Sequence, residues 1–512
     1  MANKIDLIPI GKFIYRIPNN HINESSNLGE ETTLIGFIRN ILKHKDVKLA
    51  IYLSSPSLFR EINNLLSEDS KLEISAKKLK SVCVSLFNYY MRMSMRATPF
   101  GKLSLTGSGS IESNNPEYLI NILDDYKYEV IEFSGDILYE ISRYLQDCPN
   151  VRKNMLYHIN NTIFKYGNKF RYTDYTVKKG VKNYYTSEIS ATSVMHELIM
   201  FCKNTQSYSE ICNFIMNKGY NKHDVDLFVQ DLIKNNVVIS ELEPNLTHQT
   251  YHQQINNFIE RNKDEIAPSL YSIFNDLAQT DISINSLEKI AKRIKELIPS
   301  TDDKSVFSTN SFISDGVKIS NKIADTVQNG FNLFLSYCKA ESAIESNLAD
   351  WKRAFINKFG TSFVNIKEIF DNDGGVYYAK NIYTEGFDNN PFIDDIFTDV
   401  KSNNILRLKL DRLDKYIMGE AQRVYSGHCK VIRLSRSLLD FDIDANSYPS
   451  TLNAFCQIGI DNSDSSSIII NFLNSLSDSS TCMLGRLSPF HNGINSICSV
   501  IADWEQKNFI QA

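Results

Sequence analysis

The chain has 512 residues, of which 42% are hydrophobic and 22% charged, with a formal net charge of -5 and a pI near 6.0. That length and balance predict a globular protein of roughly three domains and exclude a general polycation. No apolar run approaches the ~18 residues needed to span a bilayer, and Met1-Ala2-Asn3-Lys4-Ile5-Asp6 lacks the apolar segment of a signal peptide, which points to the cytoplasm. The nine cysteines are scattered without a C-x-x-C pair and read as reduced core residues, neither disulfides nor a zinc site.

In residues 1-150, Lys12-Phe13-Ile14-Tyr15-Arg16-Ile17-Pro18 alternates apolar and polar and stops at Pro, the pattern of a strand. Arg16 is either a solvated strand residue or a cation aimed into a site, and spacing alone favours the former. Helical patterns cover 34 to 43, 56 to 67 and 75 to 96. The last buries Leu79, Val82, Cys83, Leu86, Tyr90 and Met93 and ends in Arg92-Met93-Ser94-Met95-Arg96-Ala97-Thr98-Pro99-Phe100-Gly101. Two arginines four apart share a helix face and offer forked donors to a phosphate or carboxylate, with the Thr98 hydroxyl next to them. Cations in a last turn also complement the helix dipole, so spacing alone leaves a structural role as an equal alternative. From Ile74 to Ile111 there is no acid, while Lys77, Lys78, Lys80, Arg92, Arg96 and Lys102 fall inside the window. A basic patch for one anionic partner is the expectation. Leu103 to Thr106 reads as a strand and Gly107-Ser108-Gly109-Ser110 as a turn.

Residues 151-245 begin with two segments, 155 to 160 and 164 to 172, that read as paired strands, and a third strand at 183 to 187. Three short helices follow, 191 to 202, 209 to 217 and 223 to 235, and then a strand at Val237-Val238-Ile239. This is a winged-helix-like unit whose third helix carries Asp224, Asp226 and Asp231 where a DNA reader would carry cations. An edge strand and groove for an extended peptide fit better, with Tyr172, Tyr184, Tyr185 and Phe228 as contacts. Residues 246-400 read as a mainly helical scaffold, with a strand near 305 to 312. Asp371-Asn372-Asp373-Gly374-Gly375 reads as a turn that lacks calcium-loop ligand spacing. In 401-512, strands and helices mix, Asp461 to Ser467 reads as a surface loop, and Met483-Leu484-Gly485-Arg486 places an arginine after a glycine. His196-Glu197 lacks the second histidine of a zincin, and there is no phosphate-loop lysine motif or G-x-S-x-G elbow. The fold class expected is α+β, with mixed helices and antiparallel sheets in several subdomains around the winged-helix-like unit.

The 92 to 101 stretch resembles the R-M-S-x-R-A-T-P-F-G hallmark of the lantibiotic dehydratases, the large class I LanB-type enzymes. Phe13 to Pro18, Ser134-Gly135-Asp136-Ile137-Leu138, Tyr166 to Tyr172, Leu232 to Pro244, Phe355 to Gly360 and Leu484-Gly485-Arg486 resemble further family segments in order. The resemblance implies glutamyl-tRNA as co-substrate, with no bound cofactor or metal, and a ribosomally made precursor peptide whose Ser or Thr hydroxyls are esterified. Carried over, Arg92, Arg96, Thr98 and Asp136 would be catalytic, Arg16 and Arg486 would hold the tRNA end or glutamyl group, joined there by Lys77, Lys78 and Lys80 of the basic window, and residues 151-245 would recognise the leader peptide. Two departures stand out. Thr309-Asn310 is uncharged where the family often has an acid, and Ala512 follows soon after the Arg486 match, so either a second polypeptide is expected to supply the remaining glutamylation and elimination parts or the chain is a truncated, inactive copy. The alternatives are a non-catalytic leader-binding module and a ligase adding an amino acid to a peptide's C-terminus.

Overall fold

The computed structural model describes residues 7–20, 33–67, 75–99, 101–112, 127–178, 181–244, 250–264, 266, 268–279, 283–301, 305–313, 317–335, 343–369, 375–376, 412–427, 450–460, 468–475 and 479–508. The fold is α+β and divides into two units, one of residues 11–319 with 483–502, the other of 1–10, 320–482 and 503–512. The boundaries therefore do not follow the four consecutive segments read from the sequence.

The first unit opens with β1 (Lys12–Pro18), then α1 (Leu34–Leu42), α2 (Lys45–Ser54), α3 (Pro56–Leu66) and α4 (Ala76–Met95). Helix α4 starts where Ser75 accepts from the Lys78 N–H (3.3 Å). It ends because Arg96 turns extended at φ −119°, three residues before Pro99. Helix α3 starts on Ser55-Pro56, a capping hydroxyl followed by a proline at the first helical position. Helix α2 was not evident in the sequence, since its polar residues blur the period.

Next come β2 (Gly101–Glu112), β3 (Lys127–Phe133), α5 (Gly135–Asp147) and α6 (Pro149–Arg152). The expected turn at 107 to 110 is absent: β2 runs straight through it. Gly107 and Gly109 are there because β1 packs over them. A Cβ at 107 would lie 2.6 Å from the Tyr15 ring, and one at 109 would lie 2.4 Å from the Phe13 ring and 2.5 Å from the Val317 carbonyl.

The winged-helix-like part holds β4 (Leu156–Ile159), β5 (Phe164–Tyr166), β6 (Lys169–Lys178), β7 (Val181–Ser190), α7 (Ser193–Phe201), β8 (Gln206–Ser207), α8 (Tyr208–Met216), α9 (Lys222–Lys234) and β9 (Val238–Ser240). Its strands form two sheets, β8-β4-β9 and β5-β6-β7. The segment 164 to 172 is thus a hairpin, turned by Gly167 at φ +58°, and is not one strand paired with 155 to 160. Ser207 and Glu210 close a capping box on α8. Helices α10 (Tyr251–Arg261), α11 (Pro268–Ala278) and α12 (Ile284–Leu297) follow, then β10 (Phe307–Ile313) and β11 (Val317–Ser320).

The second unit contains α13 (Asn321–Leu335), α14 (Ala343–Phe359), α15 (Ile366–Ile369), α16 (Arg412–Tyr425) and the hairpin of β12 (Ala454–Ile460) and β13 (Ile468–Ser475), and the division falls within α17 (Thr481–Leu484). Residues 371 to 374 and 461 to 467, read as turns, lie outside the described residues. The chain then returns to the first unit through a 3-10 segment, Gly485–Phe490, and the start of α18 (Asn492–Asn508). No helix among the described residues is long and apolar enough to cross a membrane.

Apolar packing in the first unit lies on both faces of one sheet. This central sheet runs β1-β2-β10-β3, with β11 also on β2. One face, with Leu103, Ile131 and Phe133, joins the main core of α1 to α5 and α10 to α12. The other face carries a small separate cluster of Phe312, Leu487 and Ile494.

Candidate functional site

Alternation places Lys12, Ile14, Arg16 and Pro18 of β1 on the sheet face that bears the small cluster. Their β2 partners are Ser110, Ser108, Thr106 and Ser104, so Arg16 stands over a row of hydroxyls. Across from them, the Gly485–Phe490 segment lies on the same face, held by buried Leu487 and by Tyr128, whose hydroxyl donates to the Phe490 carbonyl (3.1 Å). Arg486 projects from it, exposed, close enough to act on Arg16. Burial first, and then the like charge of Arg486, push the Arg16 guanidinium below its ordinary value. Two cations thus share one face over a row of hydroxyls, a chemistry suited to an anion.

The 92 to 101 loop reaches the same face. Ser104 Oγ donates to the Thr98 carbonyl (2.9 Å), and Ser104 is the β1 partner of Pro18, two residues from Arg16. The Asn20 N–H donates to the Met93 carbonyl (3.0 Å), and Asn19 Nδ2 to the Lys102 carbonyl (2.9 Å), tying the end of β1 to both sides of the loop. Gly101 turns the chain into β2 at φ +54°, a conformation that explains the glycine. Within the motif, Met93 and Ser94 are buried, Arg92 is half-buried, and Arg96 and Thr98 are exposed. Arg96 is the cap residue just beyond the helix, its N–H on the Arg92 carbonyl (3.1 Å).

Other sequence candidates fall elsewhere. Lys77, Lys78 and Lys80 occupy the first turns of α4, and Lys80 is about 18 Å along the helix from Arg92 at 1.5 Å per residue. Lys78 is paired with Glu61 (2.7 Å). Lys102 is buried between Asp46 (3.1 Å) and Glu129, so the window that is acid-free in sequence is neutralised in space by other elements. Asp136 is an exposed first-turn acid of α5. The register from Arg16 through Thr106 and Phe312 arrives at Tyr128, whereas Asp136 follows the far end of β3, about 17 Å further along at strand rise. Thr309 and Asn310 lie on β10, Asn310 paired with Val130.

In the winged-helix-like part, Tyr172 is 3% exposed and donates to the Asn235 carbonyl (2.9 Å), which makes it a core strut; burial, then Asp174, push its hydroxyl up to about 12. Tyr184 and Tyr185 lie 56% and 41% exposed on β7, the outer strand of its sheet. Phe228 is 37% exposed on α9. Of the acids on α9, Asp226 accepts from Tyr208 (2.6 Å) and Asp224 caps with Asn221. Sequence reading missed Tyr128, Ser104, Lys12 and His491, which hold the site's pieces in place; only register and side-chain hydrogen bonds reveal them.

The chain belongs to the lantibiotic dehydratases: residues 43–495 match the family described as lantibiotic dehydratase, N terminus. It is 23% identical to the epidermin biosynthesis protein EpiB of Staphylococcus epidermidis over 66% of this chain and 34% of that protein. It is 22% identical to the nisin biosynthesis protein NisB of Lactococcus lactis subsp. lactis over 69% of this chain and 35% of that protein. The chain therefore spans about a third of the length of these curated relatives. Among solved structures, the tRNA-dependent lantibiotic dehydratase MibB from Microbispora sp. 107891 superposes with a TM-score of 0.71 at 12% identity, covering 96% of this chain and 46% of that one. The glutamylation domain TbtB from thiomuracin biosynthesis, bound to 5'-phosphodesmethylglutamycin, gives a TM-score of 0.55 at 12% identity, covering 85% of this chain and 54% of that one. At such identity these structures establish the fold.

Proposed function

We propose that this chain performs the glutamyl-transfer part of lantibiotic dehydration: a Ser or Thr hydroxyl of a precursor peptide takes the glutamyl group from glutamyl-tRNA. In that exchange the hydroxyl oxygen attacks the ester carbonyl, the bond to the tRNA ribose breaks, and the proton of the attacking hydroxyl ends on the ribose oxygen. One ester replaces another, so positioning and charge stabilisation suffice. The observation that carries the reading is the placement of β1, with Arg16, and of the Gly485–Phe490 segment, with Arg486, on the sheet face of the β2 hydroxyl row, where the loop of Thr98 also arrives. These arginines, with Arg92, would hold the anionic groups of the glutamylated tRNA end and the charge developing on the ester oxygen. The similarly folded TbtB glutamylation domain, solved with a phosphorylated ligand bound, supports that assignment.

The test is incubation of the full chain with precursor peptide, tRNA, glutamate and glutamyl-tRNA synthetase, with and without neighbouring gene products, read by mass spectrometry. Glutamyl mass added to Ser or Thr is the expected result, and mass located at the peptide's C-terminus would indicate a ligase instead. No mass gain under any combination would refute transfer. A second reading, a leader-binding module without transfer, is favoured by exposed Tyr184 and Tyr185 on outer strand β7, which suit strand addition. Leader binding by fluorescence titration that survives Arg16→Ala and Arg486→Ala, with no transfer in the unaltered protein, would establish it.

A further inference from the structure

The segment that carries Arg486 is fixed to the sheet by little apolar surface. Its cluster has three buried residues, Phe312, Leu487 and Ile494, with Ile14, Val130, Phe490 and Cys498 half-buried around them. Directional bonds must therefore carry much of the placement. His491 lies at the junction of the 3-10 segment and α18, buried, with its ring centroid 5.6 Å from Phe312 and 6.2 Å from Tyr128. Its Nδ1 accepts from the Ile494 N–H (3.3 Å), the role of a helix N-cap. A neutral imidazole that accepts at Nδ1 bears its proton on Nε2. That nitrogen is 3.1 Å from the Ile313 carbonyl, to which it donates. Ile313 follows Phe312, whose β2 partner, Thr106, is also the partner of Arg16. The imidazole is thus fastened beside the row on which Arg16 stands, five residues after Arg486.

We infer that His491 is a positioning residue for the arginine pair: its Nε2 strap to β10, and not its cap on α18, sets Arg486 within electrostatic reach of Arg16. The importance of that spacing rests on the proposed anion-binding role of the pair, while the strap itself does not. Two substitutions separate the nitrogens. In His491→Asn the amide oxygen replaces Nδ1, keeping the cap and losing the strap. In His491→Gln the amide nitrogen reaches the place of Nε2, keeping the strap and losing the cap.

The experiment uses the full chain and two readouts, amide exchange by mass spectrometry and calorimetric binding of inorganic pyrophosphate. Residues 485 to 490 are expected to exchange about 10-fold faster than wild type in His491→Asn and within about threefold of it in His491→Gln. Pyrophosphate affinity is expected to fall about 10-fold in His491→Asn only, a loss of about 1.4 kcal/mol, although His491→Gln loses more thermal stability. Equal exchange in the two variants, or faster exchange in His491→Gln, overturns the strap. Equal pyrophosphate affinity in wild type and His491→Asn overturns the positioning role. The expected exchange order together with no pyrophosphate binding and no glutamyl transfer by the wild type leaves the strap standing and removes the functional reading.

Discussion

Arg16 keeps its charge half removed from water and beside another guanidinium, and both circumstances work against it. A bound anion relieves that repulsion. Pyrophosphate at about 100 times its dissociation constant is therefore expected to stabilise the wild type by about 2.7 kcal/mol. Arg486→Ala should lose most of that gain while its own melting temperature without anion stays level or rises, which differential scanning calorimetry reads. The motif arginines should behave unequally as well. Arg96 is exposed beyond the helix end, so Arg96→Ala should cost under about 0.5 kcal/mol, whereas half-buried Arg92 should cost about 1 kcal/mol in lost packing, as measured by urea unfolding. A drop in glutamyl transfer in both, out of proportion to these losses, is the expected signature of a binding role. At this scale spacing alone revealed the cations but not their grouping. Lys77, Lys80 and Lys102 share a window with Arg96, yet helix length and outside carboxylates separate them from it. Arg16 and Arg486 are weak signals alone; the family resemblance groups them, and in the structure the Gly485–Phe490 segment brings Arg486 to the sheet face that bears Arg16.

Among the elements, β2 shows where local reading fails. Gly-Ser-Gly-Ser has the composition of a turn, but here glycines are needed because Phe13 and Tyr15 lie across the strand. Gly109→Ala is expected to destabilise the protein by about 1–3 kcal/mol, because the new methyl meets a backbone carbonyl that cannot swing aside. Chemical denaturation measures this, and a change below about 0.5 kcal/mol would mean that β1 rides more loosely than described. Helices with one strong apolar stripe and a clear cap, such as α4 and α8, were legible to within a residue or two. Helix α2, with lysines and an aspartate breaking its period, was not. The hairpin at Gly167 was hidden for a related reason: alternation continues through both strands, so only the positive φ marks the turn.

For the molecule as a whole, acid sensitivity has an identifiable source in His252, which stacks on Phe274 (5.2 Å) where α10 and α11 meet the sheet. Burial lowers its pKa from 6.5 to about 4, and Glu132, 3.8 Å away, is itself raised by burial, with Thr250 opposing. The unfolded chain takes up the histidine's proton first, so the stabilisation is fully present above about pH 6.5 and is lost as pH falls toward 4, by roughly 3 kcal/mol. His252→Phe should flatten urea midpoints across that window. Glu132 acts with the opposite sign, its contribution declining as pH rises through its raised value. Overall class and the winged-helix-like part were readable from element order and cap residues. The two-unit division was not, because nothing local in 320–482 announces that the chain will come back.

That return has a temporal consequence. A ribosome making this protein emits Arg16 early, then the strands beneath it and the whole of the intervening second unit, before Arg486 leaves the exit tunnel. The nascent chain can build the strands of its hydroxyl-floored sheet before the second arginine exists, so the pairing of Arg16 with Arg486 must wait until the intervening residues 320–482 have been made.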